Sequence, residues 1–270
     1  MTKNKLDYET LKFLYEIGIN EVVEPSPTDK RMFPKELTKL KKDNLMASKV
    51  KSSSKSVSPQ QYETHNFKVH VESSNDQARQ AKTLEELRNL VENFNMCPLK
   101  KTATNTVFSD GNSKAKIMVI GEAPGADEDR QGLPFVGLSG KLLDRMFAAI
   151  GLDRTTIYIT NIIPWRPPGN RQPTLSETNL CLPFVQRHIE LVSPEFLILV
   201  GGTAAKSILQ TTEGIMKLRG RWLTYQTPIM AKPIQTLATF HPAYLLRAPG
   251  QKRLAWLDLL MLKEAINHSN

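Results

Sequence analysis

The sequence predicts an α/β protein, a three-layer α/β/α sandwich around a central, mainly parallel four-stranded sheet. Three observations carry that prediction. Four short apolar runs, Ile117–Ile120, Thr156–Ile163, Phe196–Val200 and Pro233–Thr239, have the length and branched or aliphatic content of strands. Helical stretches at Gly140–Ile150, Ser176–Leu191 and Ala204–Leu209 alternate with them, the pattern of a parallel sheet covered on both faces. The runs lead into Glu122, Asn161, Gly201 and His241, so polar and turn residues gather at the strand ends where open parallel sheets bind ligands.

Taken in order, the chain opens with an amphipathic helix at Leu6–Ile17, its apolar side made of Leu11, Leu14, Tyr15 and Ile17, with Gly18 as a stop. Residues 1–24 are read as this helical segment. Residues 25–80 lose periodicity and gain Pro, Ser and Lys. Nine basic residues between Lys30 and Lys55 face only Glu36 and Asp43, the composition of a disordered basic linker. Residues 81–270 form the folded domain. It starts at Ala81–Phe94, where Thr83 and Glu86 make a capping box and Leu84, Leu87, Leu90, Val91 and Phe94 make a buried stripe. Trp256–Ile266 closes the chain as an amphipathic helix.

The 270 residues carry a formal charge of +9, which points to a polyanionic partner such as nucleic acid. Two cysteines, Cys97 and Cys181, give no disulfide framework and fit a reducing cytoplasm. No apolar run approaches the roughly 20 residues of a membrane span, and the N-terminus lacks the apolar core of a secretory signal, so no membrane association is expected.

The stretch Ile117–Gly140 organises the rest. A buried strand breaks into the turn Gly121–Gly125, an acidic cluster follows at Glu122, Asp127, Glu128 and Asp129, and Gly132–Gly137 presents Phe135 on a stiff turn. Ser139 is the expected cap of the next helix. Farther on, Gly201-Gly202-Thr203 opens a helix whose free N–H groups suit a phosphate.

These groups suit one kind of chemistry. An Asn pairs with a nucleobase edge through donor and acceptor together. A Phe offers a stacking face, a carboxylate orients water or steadies an oxocarbenium charge, and a His donates to a departing anion. Cleavage of a base–sugar bond fits this set better than phosphoryl transfer. Taken singly, Glu122 or Asp129 can serve as a helix cap, Phe135 as core and Asn161 as a turn residue. Their shared position at strand ends favours the functional reading. The turn is no P-loop, since no Gly-Lys-Ser/Thr follows; it does not fit the dinucleotide fingerprint, and the zinc deaminase signature is absent.

Five motifs in order carry a resemblance: GEAPGADED, GLPFVGLSGKLLD, TNIIPWRPPGNRQP, ILVGGTAAKSIL and TFHPAYLLR. Over roughly Leu84–Ile266 the chain resembles the uracil-DNA glycosylase superfamily, most of all its family 4 branch. The resemblance implies that Phe135 stacks on flipped uracil, Asn161 reads its edge and His241 stabilises the leaving anion. It makes Glu122 the favoured carboxylate for water or cation, and puts Glu128, Ala123 and Gly125 against the base. Leu245 becomes the wedge that fills the vacated stack. Arg247, Arg166, Arg171 and Thr203 become DNA contacts.

Two departures qualify the resemblance. Family 4 members hold a four-iron cluster on four cysteines, and the matching positions here read Phe94, Cys97, Trp165 and Cys181. Two thiolates cannot hold a cluster in a monomer, so the expectation is an enzyme with no cofactor and no metal, with Phe94 and Trp165 filling the vacated volume. A branch that traps the abasic sugar covalently carries Arg-Arg-Ile-His, where this chain has RPPGNRQPTLSE, so turnover is expected. The resulting expectation is a monomeric, monofunctional uracil-DNA glycosylase without a lyase lysine, acting on uracil-containing DNA. The alternatives are a glycosylase of broader deaminated-base range and a non-catalytic damage-binding or replication-associated module of the same fold.

Overall fold

Side-chain alternation along the strands builds the molecule. The computed structural model describes residues 71–269. The expected Leu6–Ile17 helix and the basic segment up to residue 70 lie outside the described residues. Six strands are present: β1 (Asp110–Gly111), β2 (Ile117–Gly121), β3 (Ile157–Asn161), β4 (Phe196–Val200), β5 (Trp222–Tyr225) and β6 (Ile234–Thr239). They form one sheet in the order β1-β3-β2-β4-β6-β5.

Along β2, Met118 and Ile120 point to one face and Ile117 and Val119 to the other, and β3 and β4 alternate in the same way. Every residue of these three strands is buried, so both faces are covered. On the first face lie α1 (Leu84–Asn93), α4 (Leu175–Val192) and α5 (Gly202–Leu209), contributing Leu87, Val91, Leu180, Ile189 and Ala204 to the core. On the second lie α3 (Leu138–Ala148) and α8 (Lys252–His268), contributing Leu143, Phe147, Leu259 and Leu262. The expected three layers are present.

The sheet differs from expectation in strand number, with six strands in place of four. The four expected strands are its parallel centre, and β1 and β5 add antiparallel edges. An Asp-Gly pair carries no apolar signal, and WLTY is too short to show a period, which is why neither edge was legible. Further helices are α2 (Ala126–Gln131), α6 (Ile215–Leu218) and α7 (Pro242–Arg247). The expected cap Ser139 instead lies within the first turn of α3, which starts at Leu138 after Gly137. Thr83 does cap α1: its hydroxyl accepts from Glu86 N, and Glu86 accepts from Lys82 N at 2.6 Å.

The folded unit also reaches farther upstream than residue 81. Residues 71–80 are helical, with Ser74 and Ala78 buried. This helix docks through small side chains, so it shows no strong apolar stripe. Next to it, Arg187 of α4 donates to the Ala81 carbonyl at 2.8 and 2.9 Å. Among the described residues no helix is long and apolar enough to cross a membrane.

Candidate functional site

Parallel register brings the working ends of the strands level. Gly121 at the end of β2 pairs with Asn161 at the end of β3, and Val200 at the end of β4 pairs with Thr239 at the end of β6. The residues just beyond these ends, with α2, α3, α5 and α7, wall a cleft of about 940 Å³. It collects Glu122, Ala123, Gly125, Glu128, Phe135, Asn161, Arg171, Thr203, His241 and Arg247.

Hydrogen bonding sorts the four carboxylates. Asp129 is buried and accepts from the Thr104 and Asn105 amides at 2.8 and 3.1 Å, fixing the preceding loop. Asp127 pairs with Arg130 at 2.6 Å. Glu128 takes the Gly125 amide at 3.1 Å on one oxygen and the Val136 and Gly137 amides at 2.9 Å on the other. The resemblance puts Glu128 beside the base; here its carboxylate ties together the two turns that frame the cleft. Glu122 alone of the four makes no hydrogen bond or ion pair with its carboxylate among the described residues, and it faces the cleft. It is free to meet a water or a cation.

Phe135 sits on a strained turn. Its φ of 56° is left-handed, where a bulky side chain costs on the order of 1–3 kcal/mol. Two glycines make room for it. A Cβ at Gly140 would overlap the Phe135 backbone, and a Cβ at Gly121 would overlap both the Phe135 ring and Asn161 Oδ1. The ring, the Asn amide and the strand end are therefore in contact. His241 completes the arrangement, its ring centroid 5.7 Å from that of Phe135.

Asn161 is 5% exposed, and its Oδ1 is buried without a hydrogen-bond partner among the described residues. An acceptor left in that state costs about 1–3 kcal/mol, a cost that a donor brought into the cleft would relieve. His241 is the opposite case. Its Nδ1 accepts from the Ala243 amide at 3.1 Å, which leaves the proton on Nε2 as a donor. Burial, and then the nearby Arg247 charge, lower its pKa from 6.5 to about 4, so the ring is neutral near pH 7.

The residues expected on DNA divide. Thr203 and Arg247 line the cleft, and the Arg247 guanidinium has no hydrogen bond or ion pair among the described residues. Arg171 lines it too, but its guanidinium grips Glu177 at 2.6 and 2.9 Å. Arg166 donates to Asn170 at 2.7 Å. Leu245 is the clear correction. At 1% exposure it packs with Leu142, Phe240 and Ala255, because α7 turns it inward, and it cannot act as a wedge as it stands. Its neighbour Tyr244 is 37% exposed and lines the cleft. Lys206 is a further cleft residue that sequence reasoning missed; it lies one helical turn beyond Thr203, a spacing that was available as a signal.

Behind the cleft lies the wall expected to replace a cluster. Phe94 and Trp165 stack with centroids 6.3 Å apart and planes 15° off parallel, and Phe184 meets Phe94 edge-on at 4.9 Å. Trp165 is 1% exposed and donates its indole N–H to Thr106 at 3.0 Å. Cys97 and Cys181 are buried beside them as free cysteines. The thiol hydrogen bond with Cys97, and then burial, hold the Cys181 pKa well above that of an ordinary thiol. Rings occupy the volume that further metal ligands would need, so the donor set does not fit an iron–sulphur cluster. Among the described residues no group of three or more His, Cys, Asp or Glu is placed to hold a metal ion.

Comparison with known proteins gives a consistent result. Residues 108–261 match the model of the uracil DNA glycosylase superfamily. The chain is 36% identical over 182 residues to the type-4 uracil-DNA glycosylase of Pyrobaculum aerophilum, covering 66% of this chain and 92% of that protein. It is 41% identical over 157 residues to the type-4 uracil-DNA glycosylase of Archaeoglobus fulgidus, covering 57% and 78%. The corresponding enzyme of Saccharolobus solfataricus is 40% identical over 176 residues, covering 63% and 81%.

Proposed function

Since this chain belongs to the uracil DNA glycosylase superfamily, we propose that it hydrolyses the N-glycosidic bond of uracil in DNA, as a monofunctional glycosylase that starts base excision repair. The observation that carries the reading is the unpaired Asn161 Oδ1 beside the Phe135 ring and the His241 donor. Uracil presents an N–H between two carbonyls. Cytosine presents a bare ring nitrogen at the same place, which would face Oδ1 acceptor to acceptor. Phe135 stacks on the base, and Asn161 selects it. Ala123 and Gly125 close the wall around it.

The reaction breaks the bond between C1′ of the sugar and N1 of the base, and the bonding pair leaves with the base. His241 donates its Nε2–H to the base oxygen that gathers the negative charge, and Arg247 adds positive potential behind it. Being neutral, His241 does this without pairing to an anion in the ground state. Glu122 faces the sugar side, where it steadies the developing cation and orients the water that adds to C1′. The water's proton passes to Glu122 and on to solvent. Thr203 and Lys206 at the opening of α5 and Arg247 on α7 meet the DNA backbone. Extruding the base costs a few kcal/mol. Exposed Tyr244 supplies the apolar surface at the mouth that offsets it.

The enzyme works as a monomer without an iron–sulphur cluster. The buried Phe94–Trp165 stack supports the lack of a cluster, together with a sequence that holds only two cysteines. Two free thiols also support a reducing cytoplasm.

A single-turnover assay tests the reading, with enzyme in excess over labelled oligonucleotides carrying uracil, hypoxanthine, xanthine or a T·G mismatch. Release from uracil DNA is expected, with losses of about 10²–10³ for His241→Ala and for Asn161→Ala. Release of hypoxanthine or xanthine at comparable rates would give the broader enzyme. No release of any base by the wild type would leave a binding module and sink the proposal.

A further inference from the structure

The strained Phe135 turn is held from both sides by opposite charges, and neither charge takes part in the proposed reaction. On the amide side, Glu128 takes the N–H groups of Val136 and Gly137. On the carbonyl side, Arg154 donates from Nη1 to the Pro134 carbonyl at 3.1 Å and from Nη2 to the Phe135 carbonyl. The guanidinium is itself held by Asp110 at 2.5 Å and by Asp144 at 3.0 Å. These carboxylates come from separate elements, β1 and α3, and Arg154 lies just before β3. Those bonds outweigh the cost of burial and raise the guanidinium pKa further, so the charge is permanent.

We propose that Arg154 is a positioning residue for base recognition, fixing the Phe135 ring over Gly121 and Asn161 through the two carbonyls that it spans. This rests on the stacking role given to Phe135 above. A left-handed phenylalanine returns to ordinary backbone unless its surroundings forbid it. Gly140 admits the turn, Glu128 fixes its far half, and Arg154 fixes the two carbonyls on either side of the strained φ. The span needs a planar fork. A lysine keeps the charge for Asp110 and Asp144 but offers one point donor that cannot grip both carbonyls. The β1 edge thereby gains a purpose, since it carries Asp110 to the back of the turn.

The test is a double-substitution cycle in the full chain, read as the affinity for free uracil measured by product inhibition and as kcat and KM on uracil DNA. Phe135→Ala alone is expected to weaken uracil binding about 10-fold, the scale of one lost base–aromatic stack. Arg154→Lys is expected to weaken it about 5-fold and to act on the same quantity. In the Phe135→Ala background it should add less than about 2-fold, because Arg154 acts through that ring. Arg187→Lys, which disturbs a comparable arginine at Ala81 far from the cleft, is the control and should change melting temperature without changing uracil affinity. Should Arg154→Lys fail to fold, Asp110→Asn loosens the same guanidinium more gently, and its effect should vanish in the Phe135→Ala background in the same way. Wild-type uracil affinity in the Arg154 or Asp110 variant, or full additivity with Phe135→Ala, overturns the proposal while leaving stacking intact. Unchanged affinity in Phe135→Ala overturns the stacking role itself, and the positioning role falls with it.

Discussion

At the scale of single residues, the cleft is set by what is missing as much as by what is present. Gly121 lacks a side chain because the Phe135 ring and Asn161 Oδ1 already fill that space. Gly121→Ala is therefore expected to push both apart and to lower kcat/KM by at least about 100-fold, while far-UV circular dichroism stays native. His241 allows a sharper expectation. With its pKa near 4, and Nδ1 committed to the Ala243 amide, it stays an Nε2–H donor from pH 8 down to pH 5. A pH profile of kcat/KM should show no His241 step near 6.5 and a fall only as pH approaches 4. Nitrogen-15 NMR should find Nδ1 unprotonated at pH 7. A titration near 6.5 would contradict this arrangement.

Among the secondary-structure elements, the aromatic wall makes the clearest prediction. Trp165 packs on Phe94 and bonds Thr106, so Trp165→Ala is expected to cost about 3–5 kcal/mol in urea unfolding through cavity and lost contacts. Trp165→Phe should recover most of that, losing chiefly the indole hydrogen bond. The wall was legible in the sequence because two large apolar residues stood at positions where the resemblance called for cysteines. The central strands were legible for a similar reason: Ile117–Ile120 and Phe196–Val200 are unbroken apolar runs. The edges were not. Two residues at Asp110–Gly111 carry no period, and a strand of that kind exists only because β3 offers it partners. For the site, Asn161 and His241 could be read from their places at strand ends. The fates of Glu128 and Leu245 could not, since amide bonding and inward rotation depend on how the turns and α7 dock. Exposure decided Leu245, and no local signal in HPAYLLR separates it from Tyr244 or Leu246. Tyr244→Ala is expected to slow uracil release from duplex DNA more than from single strands, where no stack has to be opened.

For the molecule as a whole, two imidazoles with lowered pKa values, His188 and His241, bear on the response to acid. His188 lies against Phe108 with Tyr158 O–H 2.8 Å away, and burial, then the Arg88 charge, lower its pKa to about 3. His241 is lowered to about 4. Both folded values lie below the unfolded value of 6.5, so the unfolded chain takes up protons first as pH falls. Stability is then fully present above about pH 6.5 and is lost progressively on the way down to pH 4 and below. Urea midpoints at pH 8, 6 and 4.5 should decline in that order, and His188→Gln should flatten the decline. A midpoint independent of pH across this range would contradict the sign.

The bare Asn161 oxygen has one more consequence, which concerns how tightly the ligand and the fold are linked. Among the described residues the Asn161 Oδ1 acceptor has no partner, and in the proposed complex the N–H of the base would supply the missing donor. On that reading uracil would add to the stability of the fold as well as occupy the cleft. Saturating free uracil should raise the melting temperature of the wild type. The shift should shrink in Asn161→Ala, because that chain lacks the acceptor for the N–H of the base.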